Sequence, residues 1–198
     1  MLWRMMKSMA EAQQLIVADI GGTNARFAIA RRGEDGATTI DTVRTFTNSQ
    51  FTAVDELLGA YMVDLEGSVP TAASLAIAGP NDGKTGYMVN LGWHFDAQQI
   101  ATACHLQQVH LVNDFSALAL GIPGLAEADS RCLQIGQPHG NTLSRCGPGT
   151  GLGVAALILQ GDKHLALATE GGHVAFSACS ELEQRLHSFY QPGAGFLP

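Results

Sequence analysis

Residues 14–20 are mostly apolar and stop at Gly21-Gly22, and a second apolar run covers 25–30. A turn at 33–36 and a β-branched stretch at 38–45 follow. Three such segments joined by short turns predict an antiparallel meander. The period then changes. Phe51, Val54, Leu57, Leu58, Tyr61, Met62 and Leu65 fall at helical spacing, with Ser49 placed to cap that helix. Residues 71–78 read as a buried strand that ends in the turn signal Gly79-Pro80-Asn81-Asp82-Gly83. A strand over 85–91, a short helix capped by Asp96 and running through Cys104, and a short strand over 109–112 come next. That last strand ends in Asn113-Asp114, ahead of a helical stretch at 115–120.

The second part repeats the opening. A strand at 142–146 leads into Gly147-Pro148-Gly149-Thr150-Gly151-Leu152-Gly153. An apolar strand at 154–159, a turn at 161–162 and a strand at 164–168 follow. A strand, a Gly/Thr loop and a second strand thus occur twice, near Asp19 and near Gly149, as one supersecondary unit repeated. The expected architecture is α/β, with two related domains that each present a glycine hairpin to a shared cleft. The division runs as an N-terminal extension over 1–13, a small α/β domain over 14–112, part of a larger one over 113–190, and a tail over 191–198. Residues 181–190 read as a helix.

Composition narrows the function classes. Acidic residues outnumber basic ones 18 to 11, for a net charge of −7, which argues against a nucleic-acid partner, whose footprint is excess Lys and Arg. Hydrophobic residues make up 46% and charged ones 15%, the reverse of a disordered balance. Glycine is abundant, at 23 residues, which favours tight turns and close backbone approach to a ligand. Cys104, Cys132, Cys146 and Cys179 form no C-x-x-C pair or zinc spacing and read as structural thiols in a reducing compartment. No apolar run reaches the ~18 residues of a membrane helix, and residues 1–10 lack the apolar core of a signal peptide. The expectation is a cytoplasmic protein without a membrane partner.

Several short segments carry chemistry, and each also has a plain structural reading. Paired glycines in Asp19-Ile20-Gly21-Gly22-Thr23-Asn24 let backbone N–H groups converge on an anion, and Asp19 can face a hydrated magnesium ion. Alone, the loop is equally a hairpin turn. The same two readings hold for 147–153. It is not a dinucleotide fingerprint, because a strand follows it rather than a helix. Ala78-Gly79-Pro80-Asn81-Asp82-Gly83-Lys84-Thr85 imitates a P-loop but also leads into a strand, so it reads as a turn. Asp114 at a strand tip can accept the proton of an attacking hydroxyl, while Asn113-Asp114 also suits a helix N-cap. Glu170-Gly171-Gly172-His173 can meet vicinal sugar hydroxyls, which both donate and accept, or can be a glycine turn. Trp93 reads as core, or as a sugar-facing platform near Asn90.

The order of motifs resembles the bacterial-type glucokinase family, in the hexokinase and actin-like ATPase group of sugar kinases. The residues that carry the resemblance are Asp-Ile-Gly-Gly-Thr-Asn-Ala-Arg-Phe-Ala (19–28), Asn-Leu-Gly-Trp (90–93), Leu-Val-Asn-Asp-Phe (111–115), Gly-Pro-Gly-Thr-Gly-Leu-Gly (147–153) and Glu-Gly-Gly-His-Val-Ala-Phe (170–176). It implies a ribonuclease H-like first domain with part of a second, related domain. It implies ATP-dependent phosphorylation of glucose at the 6-hydroxyl, with ATP and Mg2+ required. Ala18, Asp19, Ile20, Gly21, Gly22, Thr23 and Asn24 would form the first phosphate loop, with Asp19 near magnesium through water. Gly149, Thr150 and Gly151 would form the second. Asn90, Asn113, Asp114, Glu170 and His173 would bind glucose, and Asp114 would be the general base. The full-length form would be a homodimer. Only Cys179 stands where a sister family carries a cysteine-rich zinc motif, so zinc is not expected. Family members run longer than this chain. The resemblance therefore implies a fragment or a disrupted frame, weak or inactive as a kinase by itself, with an apolar face left exposed. Two alternatives come from other classes: a non-catalytic sugar-responsive module, and an actin-like ATPase without a sugar acceptor.

Overall fold

The computed structural model describes residues 14–34, 37–67, 69–137, 139–148, 151–161 and 163–190. The 1–13 extension, the 191–198 tail, Gly149 and Thr150 lie outside them. The chain opens with β1 (Gln14–Ile20), β2 (Asn24–Arg32) and β3 (Thr38–Thr47), paired antiparallel in sequence as the meander predicts. Helix α1 (Val54–Val63) and β4 (Ala72–Ile77) follow, then β5 (Thr85–Met88), β6 (Trp93–Asp96), α2 (Ala97–Ala103) and β7 (Gln108–Asn113). Strands β4 and β7 run parallel to β1, which gives a five-stranded sheet of order β3-β2-β1-β4-β7. Register places Ile20 beside Ile77 and Ile77 beside Asn113. The carboxyl ends of β1, β4 and β7 therefore lie in one row, the edge where open α/β sheets bind ligands.

After α3 (Asp114–Gly121) come β8 (Thr142–Pro148), β9 (Leu152–Gln160) and β10 (Lys163–Thr169), a second antiparallel sheet of order β10-β9-β8. The repeat expected from the two glycine loops thus extends to three strands in each half. Helix α3 packs on β8, β9 and β10 and also touches β4 and β7, so it joins the two sheets. Helix α4 (Glu181–Phe189) closes the described chain, with Ser180 and Glu183 forming a reciprocal cap. Among the described residues, no helix is long and apolar enough to cross a membrane.

The core is concentrated in the first sheet. Ile16, Phe27, Leu57, Leu58, Tyr61, Leu75, Ile77 and Leu111 are fully buried there, with α1 and α2 supplying one wall. Trp93 belongs to this core, at 6% exposure, which rules out the sugar-platform reading. The second sheet has a small core of Ala119, Ala155 and Leu157.

Two elements depart from the sequence pattern. Ser49 does not cap α1: it lies in a 3-10 turn over Asn48–Gln50, and the helix begins only at Val54. The Glu56 carboxylate supplies the polar anchor instead, accepting from Thr52 N–H at 2.8 Å and from the Thr52 hydroxyl at 3.0 Å. The strand expected over 85–91 is a hairpin. Strand β5 ends at Met88 and turns through Gly92, at φ 65°, into β6. The P-loop imitation at 78–85 is a turn as expected, held by Asp82 Oδ1 accepting from Lys84 N–H and Thr85 N–H.

A bulge shapes β3. Phe27 pairs with Arg44 and Ile29 with Asp41, so Thr42 and Val43 oppose Ala28 alone. Thr42 takes φ 53°, a left-handed conformation that a β-branched residue seldom adopts. Its carbonyl accepts from the Tyr61 hydroxyl at 3.1 Å, and the Tyr61 ring stacks on Phe27 with centroids 5.2 Å apart. Tyr61→Phe should therefore lower the unfolding free energy by about 1 kcal/mol, read as a shift in urea midpoint at unchanged slope. An unchanged midpoint would show that the hydroxyl does not hold the bulge.

Candidate functional site

The first loop is built by a tight hairpin. Gly21 N–H donates to Asn24 O at 3.0 Å, and Ala78 N–H donates to Ile20 O at 3.2 Å. Ala18 and Ile20 are buried in the sheet, while Asp19, Gly22, Thr23 and Asn24 are exposed at its edge. The Asn90 amide lies against Gly22: a Cβ placed on that glycine would sit 3.6 Å from Asn90 Nδ2. The structure thus brings Asn90 to the first loop.

Asp114 begins α3 at the tip of β7. Asn113 is the N-cap, its Oδ1 accepting from Ser116 N–H at 3.0 Å. The Asn113 amide donates to Asp114 Oδ1 at 3.1 Å, and Phe115 N–H donates to the same oxygen at 2.9 Å. The capping role and a role for Asp114 toward the cleft therefore coexist, because different side chains perform them. Burial pushes the Asp114 carboxyl above its ordinary value of 3.8, and the charge of Asp19 adds to the rise, while the Phe115 and Asn113 donors oppose it. Asp19 and Asp114 line one cavity of about 460 Å³ between the first sheet and α3, together with Arg26 and Arg145. Arg145 Nε is buried without a hydrogen-bond partner. Nothing in the motif pattern marked that arginine.

The second hairpin is tied to Asp114 through its neighbour. A Cβ on Gly153 would lie 1.9 Å from the Phe115 ring, and one on Gly147 would lie 3.3 Å from it. The ring therefore occupies a notch that only glycine leaves open at residue 153 and that a side chain at 147 would crowd. The Glu170–His173 segment meets the same hairpin, since a Cβ on Gly172 would fall 1.6 Å from the Leu152 carbonyl oxygen. Gly151 is exposed ahead of β9.

Glu170 and His173 flank a single 3-10 turn and contact each other, Nδ1 to Oε2 at 2.9 Å, with both side chains 82% exposed. They are not among the residues lining the Asp19–Asp114 cavity. The structure therefore gathers the expected residues as two groups: Asp19, Asp114 and the first loop in one, and Glu170 with His173 in the other. Hairpin β8–β9 touches both.

Among the described residues, no three His, Cys, Asp or Glu side chains cluster to hold a metal alone. Asp19, exposed beside Asp114, fits a magnesium ion in its usual mode, with one or two carboxylates and the remaining positions filled by water and substrate oxygens.

Sequence reasoning missed Asn48. It is 1% exposed, its Nδ2 donates to Gly21 O at 2.7 Å, and its backbone N–H donates to Thr23 O at 2.9 Å. An asparagine after a β-branched strand gives no periodic signal of such a contact.

The strain on Asp114 is measurable. Because its folded pKa is raised, the folded state binds the proton more readily, and stability declines as pH rises from 3.8 through the raised value. Asp114→Asn should therefore melt higher than the parent at pH 7, and the difference should vanish below pH 3.8. A lower melting temperature at pH 7 would show that the carboxylate is not strained.

The profile of the glucokinase family matches residues 16–196. A glucokinase from Saccharophagus degradans is 38% identical over 170 residues, covering 85% of this chain and 53% of that protein. The crystal structure of a glucokinase from an Antarctic psychrotroph superposes with a TM-score of 0.77 at 32% identity, over 89% of this chain and 56% of the other. A Streptomyces griseus glucokinase of the ROK family, in complex with glucose and AMPPNP, superposes at 0.52 with 19% identity, over 77% of this chain and 46% of the other, a likeness of fold alone. The chain spans about half the length of the curated glucokinases it matches. With five motifs in order, the two glycine hairpins and a profile match across nearly all its length, the chain belongs to the glucokinase family.

Proposed function

We propose that the chain serves ATP-dependent phosphorylation of glucose at the 6-hydroxyl. The observation that carries this reading is the placement of Asp114: half-buried at the tip of β7, beside Asp19 at the tip of β1, with Phe115 seated in the second glycine hairpin. We read β3-β2-β1-β4-β7 as a ribonuclease H-like domain over 14–112. The β10-β9-β8 sheet is then the start of a related domain over 113–190. The Streptomyces relative, with glucose and an ATP analogue bound, supports the same ligand pair here.

In this reading the sugar is held by Asn90, Asn113, Glu170 and His173, whose carboxylate, amide and imidazole groups match hydroxyls that donate and accept. Asp114 takes the proton from the 6-hydroxyl as that oxygen bonds to the γ-phosphorus and the bond to the β-phosphate oxygen breaks, releasing ADP. Its raised pKa makes it a better proton acceptor than an ordinary surface carboxylate. The loops over 18–24 and 149–151 supply N–H groups to the phosphates, with Arg26 and Arg145 adding positive charge nearby. Magnesium, held through Asp19, neutralises phosphate charge when bound. The reaction places the protein in the cytoplasm, where ATP and free hexose meet, and the family's longer form is read as a homodimer.

Calorimetry with glucose and no nucleotide tests the sugar site. The chain should take up glucose, His173→Ala should weaken that affinity by about tenfold, and Asp114→Asn should leave it nearly unchanged. By itself the chain should turn over weakly or not at all; in a full-length version assayed with MgATP, Asp114→Asn should cut turnover by about 10²–10⁴-fold. Glucose-independent ATP hydrolysis with no sugar binding would favour an ATPase without a sugar acceptor.

A further inference from the structure

The first glycine loop is an incomplete hairpin, and the reason lies outside the loop. A two-residue hairpin is ordinarily closed by a reciprocal pair of backbone bonds. Here Gly21 N–H donates to Asn24 O, but the return bond from Asn24 N–H to Gly21 O is not made among the described residues. The Gly21 carbonyl instead takes its proton from Asn48 Nδ2 at 2.7 Å. Thr23, on the other side of the turn, has its carbonyl taken by Asn48 N–H at 2.9 Å, the backbone bond that continues the β2–β3 ladder past Asn24 and Thr47.

Peptide planarity converts these two contacts into a direction. In a trans peptide, C=O and the following N–H point opposite ways. A Gly21 carbonyl drawn toward Asn48 turns Gly22 N–H away from it. The Thr23 carbonyl, engaged on the β3 side, turns Asn24 N–H away from β3 and toward Gly21, whose carbonyl does not accept it. Neither amide donor keeps a backbone acceptor within the hairpin, and unengaged backbone N–H groups of a glycine turn are the donors that bind an anion.

Stability does not explain Asn48. Its side chain is buried, at 1% exposure, with Oδ1 unpartnered, a cost that the single bond to Gly21 O must offset and that calls for a role beyond packing. We propose that Asn48 is a positioning residue: it holds the first glycine loop open so that Gly22 N–H and Asn24 N–H face an oligophosphate. This rests on the phosphate-loop reading given above and adds the residue that sets the loop's geometry.

The test uses the whole chain and inorganic tripolyphosphate, which isolates phosphate contacts from base contacts. Amide resonances of Gly22 and Asn24 should shift on titration of the parent protein. In Asn48→Ala the Kd should rise about tenfold. In the same variant without ligand, Asn24 amide exchange should slow, because Gly21 O becomes free to accept from it. A residue that merely stabilises the fold would have the opposite effect on exchange when removed. Unchanged or faster Asn24 exchange, or an unchanged Kd, overturns the proposal while leaving the phosphate-loop reading intact. A parent protein that shows no response at Gly22 and Asn24 overturns both. Should Asn48→Ala not fold, Asn48→Asp keeps the shape, removes the donor and is judged by the same results. Unfolding of both variants overturns the proposal, because Asn48 would then be holding the core.

Discussion

The Phe115 ring, seated between Gly147 and Gly153, is the contact on which the site's geometry depends. The ring follows Asp114 directly, so a displacement of hairpin β8–β9 is transmitted to the carboxylate through one residue. Helix α3 contacts both sheets at this point. A side chain at residue 153 would push the ring out, and the hairpin and the strand tip would lose their common reference. Close packing, more than backbone freedom, makes glycine necessary at residue 153, which has no positive φ.

Asp114 lies between opposed demands. It begins a helix, and helix N-termini favour negative charge. Two donors within 3.1 Å also favour the ionised form. Burial and the neighbouring Asp19 outweigh them, and the net shift is upward. That balance suits a proton acceptor in a cleft. A carboxylate with only its helix-cap environment would be more acidic and a weaker base, and a fully buried one would stay protonated. The two donors keep the group ionisable while the surroundings keep it basic.

Much of this was legible in the residues. Periodicity located β1 to its exact bounds, the Asp96 cap is made through Gln98 N–H and Gln99 N–H, and the two strand–glycine–strand units appear as matching meanders. These features rest on local chemistry that spacing records. The break at Met88 escaped because Val89 and Leu91 continue the apolar pattern through what is a turn, at Gly92. The Ser49 assignment failed because a hydroxyl at the right distance from a helical pattern resembles a cap, while Glu56 supplies that anchor from within the helix. Asn48, Arg145 and the Phe115 notch are long-range: 27 residues separate Asn48 from the carbonyl it holds, and no window of sequence contains both partners.

The two halves are unequal, and the inequality bears on how the site is held. The first sheet is backed by α1 and α2 over a continuous core that includes Tyr61, Phe27 and Leu75. The second has Ala119, Ala155 and Leu157, and it leaves Leu165 and Leu167 exposed, as are Leu182 and Phe189 on α4. Buried apolar area is the main source of rigidity, so the first loop is firmly mounted and the second depends on α3 for its position. The residues expected to meet the sugar follow the same division. Asn90, Asn113 and Asp114 stand on the rigid part, while Glu170 and His173 stand on an exposed turn braced against Leu152. Because that turn and the Phe115 ring both pack on hairpin β8–β9, the Glu170–His173 pair and the base are referenced to one another through the hairpin rather than through a common core.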